Sequence, residues 1–274
     1  MKIRGKTAVV TGASSGLGRA IALSLARGGA DVALVARRED LLRELAQEVE
    51  ALGRRCLVVP TDVADAARVR SASQAIVNEV GTPDILVNSA GVAVWKPFLE
   101  ISDAEHEAMM NVNFWGAYHW IRCLLPAMKE RGSGHIINIS AGTGKIGLPV
   151  TSGFSASKFA LTGLSEALHR EFLGTGLHVS CVHPGNIRTD FWDERTVPKQ
   201  GLPALVRFSP KMSPRAVARD VVFFCVRLGV PVRTLPVFVA LLTKVNALSI
   251  RAGDLMLWKW FFPLLLLVVA LALL

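Results

Sequence analysis

The sequence is poor in the features that mark several classes of protein. Its four cysteines, Cys56, Cys123, Cys181 and Cys225, are too widely spread for a C-x-x-C pair, so we expect reduced, packed thiols. Its histidines show no metal-site spacing. Zinc-finger spacing, a basic heptad helix and dense Lys/Arg clusters are all absent, which argues against nucleic-acid binding. The opening residues 1–6 lead straight into an apolar run, so we expect no signal peptide.

Apolar residues are abundant and the positive charge is unevenly placed. The chain of 274 residues is 51% hydrophobic, which excludes a disordered protein. The net charge is +9, but residues 1–185 hold 19 basic and 17 acidic residues, whereas residues 186–274 hold 12 and 5. Most of the excess positive charge therefore lies in the last third of the chain, and we expect this part of the protein to bind a membrane surface.

Short apolar runs alternate with longer segments of helical period. Candidate strands are Thr7–Thr11, Asp31–Ala36, Leu57–Pro60, Ile85–Asn88, His135–Ser140 and His178–His183, and the clearest helices are Ala20–Arg27 and Glu39–Leu52. Continuous apolar strands separated by helices predict a Rossmann-type α/β fold with a doubly wound parallel sheet. Such sheets bind ligands beyond the carboxyl ends of their strands.

A glycine-rich turn, TGASSGLG at residues 11–18, follows the first predicted strand and opens a helix. Glycines let a phosphate approach the backbone, and the N–H groups and positive end of a helix favour negative charge. The strand–turn–helix context therefore predicts a dinucleotide phosphate site, although three glycines can also serve only a tight turn.

With these motifs the sequence resembles the short-chain dehydrogenase/reductase family, whose T-G-x-x-x-G-x-G pattern it matches in full. The resemblance covers roughly residues 5–195 and continues through Asp62-Val63, NSAG at 88–91, Asn113, FSASK at 154–158, and Pro184-Gly185 with Thr189. It implies an NAD(P)-binding Rossmann sheet with Asp62 near the adenine, Asn88 in the cofactor-side sheet core, and Pro184, Gly185 and Thr189 near the nicotinamide. The full cofactor-binding set that we expect is Gly12, Ser14, Ser15, Gly16, Leu17, Gly18, Arg37, Arg38, Asp62, Val63, Asn88, Ala90, Gly91, Lys158, Pro184, Gly185, Ile187 and Thr189.

The end of the second strand favours NADP(H) over NAD. An acidic residue there would bind the ribose 2′-OH, but the sequence places Arg37 and Arg38 after Ala36. Arg37 can form a charge-assisted fork to a 2′-phosphate, with help from the Ser14 hydroxyl. The alternative is that both arginines only begin a solvated helix.

Two of the four catalytic positions that the resemblance implies lack their hydroxyl groups. The family uses a tyrosine four residues before a lysine, a serine thirteen residues before the tyrosine, and an asparagine on an earlier helix that completes a water relay. Lys158 and Asn113 match, whereas the tyrosine position is Phe154 and the serine position is Ala141. Ser140 is one position out of register and on a strand would face the other side.

Three interpretations follow for these positions. The chain can be an engineered, inactivated reductase, a natural pseudoenzyme that binds a dinucleotide, or an enzyme with relocated chemistry. We favour the first, because the cofactor motifs, Asn113 and Lys158 are all kept while both hydroxyls are lost. The intact site would reduce a lipophilic ketone, such as a 3-ketosphinganine-like, steroid-like or retinoid-like molecule.

The last third divides into two predicted segments. Prolines interrupt residues 196–254, which we interpret as a substrate flap and membrane-docking segment, with Val217–Val226 and Leu235–Leu248 apolar enough to lie on a membrane. Residues 255–274 carry one charge, Lys259, and predict a hydrophobic C-terminal helix as membrane anchor, or an apolar arm buried in an oligomer. Basic residues precede this tail and none follows, so the body of residues 1–195 is expected to face the cytosol. Family resemblance implies a homodimer or homotetramer through helices within 104–130 and 154–173.

Overall fold

In the computed structural model, seven parallel strands form one sheet in the order β3-β2-β1-β4-β5-β6-β7. The strands are β1 Thr7–Thr11, β2 Asp31–Ala36, β3 Cys56–Pro60, β4 Ile85–Asn88, β5 Gly134–Ile139, β6 Leu177–Pro184 and β7 Val232–Leu235. The structure describes residues 1–191, 202–203, 206 and 209–258. The strand order reverses between β1 and β4, and this switch point opens a crevice at the carboxyl ends of the strands.

Helices cover both faces of the sheet and enclose two hydrophobic cores. They are α1 Gly16–Arg27, α2 Glu39–Glu50, α3 Ala66–Val80, α4 Asp103–Met110, α5 Gly116–Arg131, α6 Ser152–Glu171, α7 Pro214–Asp220, α8 Val237–Leu248 and α9 Ile250–Trp258. Wider π-helical turns extend α4 through Asn111–Trp115 and α7 through Val221–Arg227. Helices α1, α2 and α7 pack on one face of the sheet, and α3, α5 and α6 pack on the other.

Local signals in the sequence fix several helix starts. The Asp65 carboxylate caps α3 by accepting hydrogen bonds from the Ala67 and Arg68 amides. Ser102 and Glu105 form a reciprocal capping box at the start of α4. These caps satisfy backbone donors at the helix starts that would otherwise lack a partner within the helix.

The Rossmann-type fold class is confirmed, and the six predicted strands are present with ends shifted by at most one residue. Helix α1 begins at Gly16, four residues before the predicted start, because the glycine turn itself enters the helix. Helix α2 ends at Glu50 rather than Leu52. Strand β7 was not predicted, because it is a four-residue edge strand preceded by Pro231 and followed by Pro236.

The prediction that Val217–Val226 lies on a membrane is wrong. Val217, Val221, Cys225 and Val226 are almost completely buried against the main core, so their apolar character serves packing. Helix α8, within the second predicted membrane-docking segment Leu235–Leu248, does expose apolar side chains: Val237 and Leu248 are 79% and 89% exposed.

The hydrophobic C-terminal helix is not supported by the described residues. Only 255–258 of the predicted anchor fall within α9, and 259–274 lie outside the described residues. Within the parts of the chain that the structure describes, none of the helices combines the length and apolarity needed to cross a bilayer.

Candidate functional site

The glycine turn after β1 is packed tightly against the backbone around it. Gly12 has a positive φ of +66°, and a Cβ there would lie 2.8 Å from the Ala90 backbone. A Cβ on Gly18 would lie only 2.3 Å from the Gly12 carbonyl oxygen. Larger residues therefore do not fit, and the turn presents bare backbone at the start of α1, where the helix dipole favours an anion.

Two hydroxyl groups and one arginine surround this turn. The Arg38 guanidinium donates hydrogen bonds to Ser14 Oγ at 3.1 Å and to Ser15 Oγ at 2.9 Å. Arg37 also lines the crevice but makes neither contact. The binding of a 2′-phosphate by Arg37 and Ser14 stays a prediction, and the structure adds Arg38 as the arginine that contacts the hydroxyl groups of the glycine turn.

A single cavity of about 370 Å³ extends from the glycine turn along the carboxyl ends of the strands. Most residues of the predicted site line it together. These are Gly12, Ser14, Ser15, Gly16, Leu17, Gly18, Arg37, Arg38, Asp62, Val63, Ala90, Gly91, Ala141, Phe154, Lys158, Pro184, Gly185, Ile187 and Thr189.

Two predicted site residues, Asn88 and Asn113, do not line the cavity. The Asn88 side chain is buried in the sheet, where its amide donates to Asn138 Oδ1 at 2.8 Å. The Asn113 amide accepts from the Val92 amide at 2.8 Å and donates to the Val92 carbonyl and to Ser157 Oγ at 2.9 Å. Its side chain thus holds the loop after β4, and its hydrogen bonds are used within the protein.

Lys158 is the charged group at the centre of the cavity. It lies on α6 with 4% of its surface exposed, and its Nζ donates to the Ile139 carbonyl at 2.9 Å. Burial lowers the pKa of this ammonium to about 8. The other two N–H bonds of Lys158 have no partner among the described residues, so they remain available to a bound molecule.

The predicted tyrosine and serine positions make an apolar wall next to Lys158. Phe154 is buried, with ring centroids at 5.4 Å from Trp95 and 5.7 Å from Phe191, and its own ring centroid lies 5.8 Å from Lys158 Nζ. Ala141 packs against the same cluster. At the place where a hydroxyl would hold and protonate a carbonyl oxygen, the site therefore presents only carbon.

The neighbouring hydroxyl groups do not replace the missing ones. Ser140 Oγ donates to the Lys158 carbonyl at 3.1 Å and lies 3.0 Å from Thr162 Oγ1, so it faces α6 rather than a substrate. Thr151 Oγ1 donates to the Leu148 carbonyl at 2.8 Å. Both hydroxyls brace the backbone around α6.

One polar residue of the cavity, Thr143, was missed by sequence reasoning. It lies in the short 3-10 turn Gly142–Gly144, and its buried Oγ1 has no hydrogen-bond partner among the described residues. Buried hydroxyls are usually paired, so this one is suited to a ligand. Its position two residues after Ala141 was the only available signal, and spacing alone does not show that the hydroxyl is unpaired.

The outer wall of the cavity is apolar. Helix α8 contributes Phe238, Val239 and Leu242, and the segment after β6 contributes Leu202 and Val206. The crevice therefore combines a polar end at the glycine turn with an apolar end at α8, an arrangement suited to a dinucleotide beside a carbon-rich molecule.

Comparison with known proteins places this site in a family. The short chain dehydrogenase family model matches residues 6–200. The chain is 38% identical over 225 residues, 81% of its length, to glycine betaine reductase ATRR of Emericella nidulans, and 38% identical over 185 residues, 68% of its length, to ketoacyl reductase HetN of a Nostoc species. It spans only 18% and 64% of the lengths of these two proteins. It is also 35% identical over 228 residues to putative oxidoreductase SadH of Mycobacterium tuberculosis, covering 79% of this chain and 83% of that protein.

Solved structures agree with the sequence comparisons. L-sorbose reductase from Gluconobacter frateurii, complexed with NADPH and L-sorbose, matches with a TM-score of 0.76 and 30% identity over 86% of this chain and 97% of that one. A short-chain dehydrogenase/reductase from Burkholderia phymatum in complex with NAD matches with a TM-score of 0.82 and 26% identity over 92% and 96%. The solved relatives thus include both NADPH and NAD complexes. The chain belongs to the short-chain dehydrogenase family of oxidoreductases.

Proposed function

We propose that this chain binds NADP(H) and has the site of a reductase that interconverts a lipophilic ketone and its alcohol, with its chemistry impaired by Phe154 and Ala141. One observation carries the proposal: the glycine turn, Lys158 and both altered positions line the same cavity. A 3-ketosphinganine-like, steroid-like or retinoid-like molecule is the class of substrate that we propose.

The preference for NADP(H) is supported by the groups around the glycine turn. Arg38, Ser14 and Ser15 form one hydrogen-bonded cluster next to Arg37, and the second strand ends without a carboxylate. Guanidinium and hydroxyl donors fit a 2′-phosphate, whereas a 2′-OH is best bound by an acid. NADPH supplies a hydride when it is bound, and the buried Lys158 ammonium has free donors for the ribose hydroxyls.

The lipophilic substrate is supported by the apolar end of the cavity. Trp95, Phe154 and Phe191 form one wall, and Val239 and Leu242 of α8 form another. Burying apolar surface contributes about 25 cal/mol per Å², so such walls favour a carbon-rich ligand.

The impairment is supported by the chemistry that two hydroxyls would supply. A positioned general acid typically contributes a rate factor of about 100 to 10,000. One oxyanion donor contributes about 100- to 1000-fold. Neither Phe154 nor Ala141 can make these contributions, so the unmodified chain is expected to turn over slowly.

The test restores both hydroxyls. The double variant Ala141→Ser/Phe154→Tyr and the parent chain are compared for NADPH oxidation with a panel of sphingoid, steroid and retinoid ketones. We expect turnover to rise at least about 100-fold, because the acid and the oxyanion donor act together. Phe98→Tyr makes the same aromatic change at a side chain that is 70% exposed and does not line the cavity, and it should leave turnover at the parent level.

A second candidate function, a dinucleotide-binding scaffold without chemistry, is favoured by the same two missing hydroxyls. NADPH binding does not separate it from the reductase, but turnover by the double variant does. Tight NADPH binding with no turnover by parent or double variant would reject the reductase and leave the scaffold.

We also propose that the protein associates with a membrane, with its folded domain facing the cytosol. Val237 and Leu248 of α8 are 79% and 89% exposed, and Ile250 at the start of α9 is 71% exposed. Val239 and Leu242, also on α8, line the cavity. Helix α8 thus has one apolar face in the cavity wall and another in solvent. Contact of the outer face with lipid would bring the cavity next to its lipophilic substrate.

Vesicle flotation tests this membrane association. The full chain should float with phosphatidylcholine vesicles containing anionic lipid, and Leu248→Glu/Ile250→Glu should weaken flotation. Leu99→Glu, on the short turn Phe98–Glu100 and 95% exposed, is the matched control and should float normally. Deleting residues 255–274 decides whether the predicted tail is required, since flotation without it would assign attachment to α8 and the residues before 255.

We propose a homodimer or homotetramer formed through α5 and α6. Apolar side chains on and near these helices are exposed, with Trp115 at 41%, Phe159 at 44% and Leu173 at 65%. Light scattering after size-exclusion chromatography in detergent measures the assembly, and a monomeric mass at micromolar concentration would reject it.

A further inference from the structure

The site proposed above has no tyrosine, so a proton for a carbonyl oxygen must come from another group. Ser140 and Thr151 direct their hydroxyl hydrogens to the backbone carbonyls of Lys158 and Leu148. Thr143 has an unpaired hydroxyl, which can hold an oxygen atom by a hydrogen bond. Aliphatic hydroxyls do not ionise in the physiological range, so none of the three can serve as an acid.

Among the charged residues that line the cavity, one is suited to donate a proton to the substrate. Asp62 and Asp190 also line the cavity, and the Asp62 carboxyl group accepts a hydrogen bond from the Ala64 amide at 3.0 Å. Neither aspartate is among the residues that pack around Phe154 and Ala141. Arg37 and Arg38 lie at the glycine turn, and a guanidinium keeps its protons in proteins. Lys158 remains, at the centre of the cavity and against the wall where the missing hydroxyl would be.

We propose that the Lys158 ammonium is the general acid of this site and delivers a proton to the substrate oxygen, directly or through one water molecule. This inference rests on the proposed reductase function. The geometry supports it, because Nζ uses one N–H for the Ile139 carbonyl at 2.9 Å and lies 5.8 Å from the Phe154 ring centroid. Of the two remaining N–H bonds, one can bind a ribose hydroxyl and the other is left for a substrate or a bridging water, beside the position of the missing hydroxyl.

The step balances without a further reactant. The carbonyl carbon gains a hydride as NADPH is oxidised to NADP⁺, and the π electron pair of the carbonyl moves to oxygen. That oxygen takes one proton from Lys158, which becomes a neutral amine, and the product is an alcohol. Water then returns a proton to the amine before the next cycle.

The surroundings of Lys158 suit an acid that works near neutral pH. The ionisable groups nearest to it on β6 are Cys181 and His183, and Lys145 precedes α6. Burial lowers the pKa of His183 to about 3 and raises that of Cys181 to about 11, so both are neutral. Asn113 brings no charge, and Lys96 of the loop after β4 is paired with Glu105. Burial is the largest influence on the pKa of Lys158.

Two chemical variants test the proposal in combination. Lys158→Arg keeps the positive charge but cannot release a proton, while Phe154→Tyr supplies an alternative acid. We expect Lys158→Arg to slow single-turnover ketone reduction by at least about 100-fold in the parent chain. In the Phe154→Tyr background the same change should cost less than about 10-fold, since the tyrosine hydroxyl then gives the proton. Lys145→Arg is the matched control and should leave both backgrounds unchanged.

A pH profile and a titration without turnover complete the test. The reduction rate of the parent chain should fall as pH rises through about 8, because the ammonium form is the acid. The ¹³Cε resonance of Lys158, assigned by its loss in Lys158→Arg, should titrate with a midpoint near 8 in the protein without substrate.

Several outcomes overturn the proposal. Equal losses in the two backgrounds, a midpoint near the ordinary lysine value of about 10.5, or no turnover by the parent under conditions where Ala141→Ser/Phe154→Tyr is active would each do so. The last outcome leaves the reductase function intact. Failure of the double variant as well would instead reject the proposed function itself.

Discussion

The tight packing of the glycine turn leads to a quantitative prediction for Gly18→Ala. A Cβ at this position would lie 2.3 Å from the Gly12 carbonyl oxygen, whereas Cβ contacts under 3.0 Å essentially never occur. The two backbone segments must therefore move apart by at least 0.7 Å, the difference between these distances. Overpacking of this kind costs about 1–3 kcal/mol, and here the strain falls on the turn that is proposed to bind phosphate.

Gly163→Ala is the matched control. Gly163 is an exposed glycine within α6, and a Cβ there meets nothing within 4 Å. Alanine in an exposed helix is favoured over glycine by about 0.5–1 kcal/mol. The two variants are therefore expected to differ in unfolding free energy by about 1.5–4 kcal/mol, which corresponds to a difference in melting temperature of at least about 3 °C.

Thermal unfolding monitored by circular dichroism, with and without NADPH, measures both effects. Gly163→Ala should melt at or above the parent temperature and keep the stabilisation by NADPH. Gly18→Ala should melt lower and lose most of that stabilisation, since a ligand at 100 times its dissociation constant contributes about 2.7 kcal/mol only when its site is intact. A Gly18→Ala protein with the parent melting temperature and the parent NADPH affinity would refute the reasoning.

Two further predictions concern cofactor choice and pH. Arg38→Ala should weaken NADPH binding by about 10- to 100-fold while changing NADH binding little, whereas Arg37→Ala should have a smaller effect, because Arg38 is the arginine held beside Ser14. Fluorescence titration measures both variants, and equal effects on NADPH and NADH would contradict recognition of the 2′-phosphate by Arg38. Burial lowers the pKa of His135 and His183 to about 3, well below the unfolded value of about 6.5. The unfolded chain therefore binds more protons below pH 6.5, and the free energy of unfolding should fall by roughly 2 kcal/mol for each histidine between pH 7 and 5. Urea unfolding at several pH values measures this fall in unfolding free energy, and His135→Asn should reduce the fall by about half. An unchanged pH dependence in His135→Asn would contradict the role assigned to the buried histidine.

The parallel sheet could be predicted because its strands are buried on both faces. A strand such as β4, in which every residue is buried, appears in the sequence as a continuous apolar run. Strand β7 lacks this signal, since only Leu235 of its four residues is buried. Val217–Val226 has a strong apolar signal that was assigned to the wrong environment. A helix buried in a protein core and a helix buried in lipid can have the same hydropathy, so the sequence does not tell them apart.

The candidate site could be predicted as a set of positions but not as a set of contacts. The family resemblance assigned Phe154, Ala141 and Lys158 to one site, and all three line one cavity. Spacing did not show that Arg38 rather than Arg37 reaches Ser14, because one residue of difference after a strand reverses the direction of a side chain. It also did not show that Thr143 is left without a partner, since that depends on the neighbours that the fold brings together.

The packing around Phe154 explains how the site can lose its hydroxyls and keep its shape. The ring is buried between Trp95 and Phe191, so its carbon atoms contribute to the cavity wall whether or not a hydroxyl is attached. Phenylalanine retains these contacts, and removing the ring would leave a void of the kind that costs about 3–5 kcal/mol. Ala141 contacts the same cluster. The packing of this wall therefore does not depend on a hydroxyl at either position, so the proposed substrate binding and the proposed proton transfer from Lys158 can be tested separately.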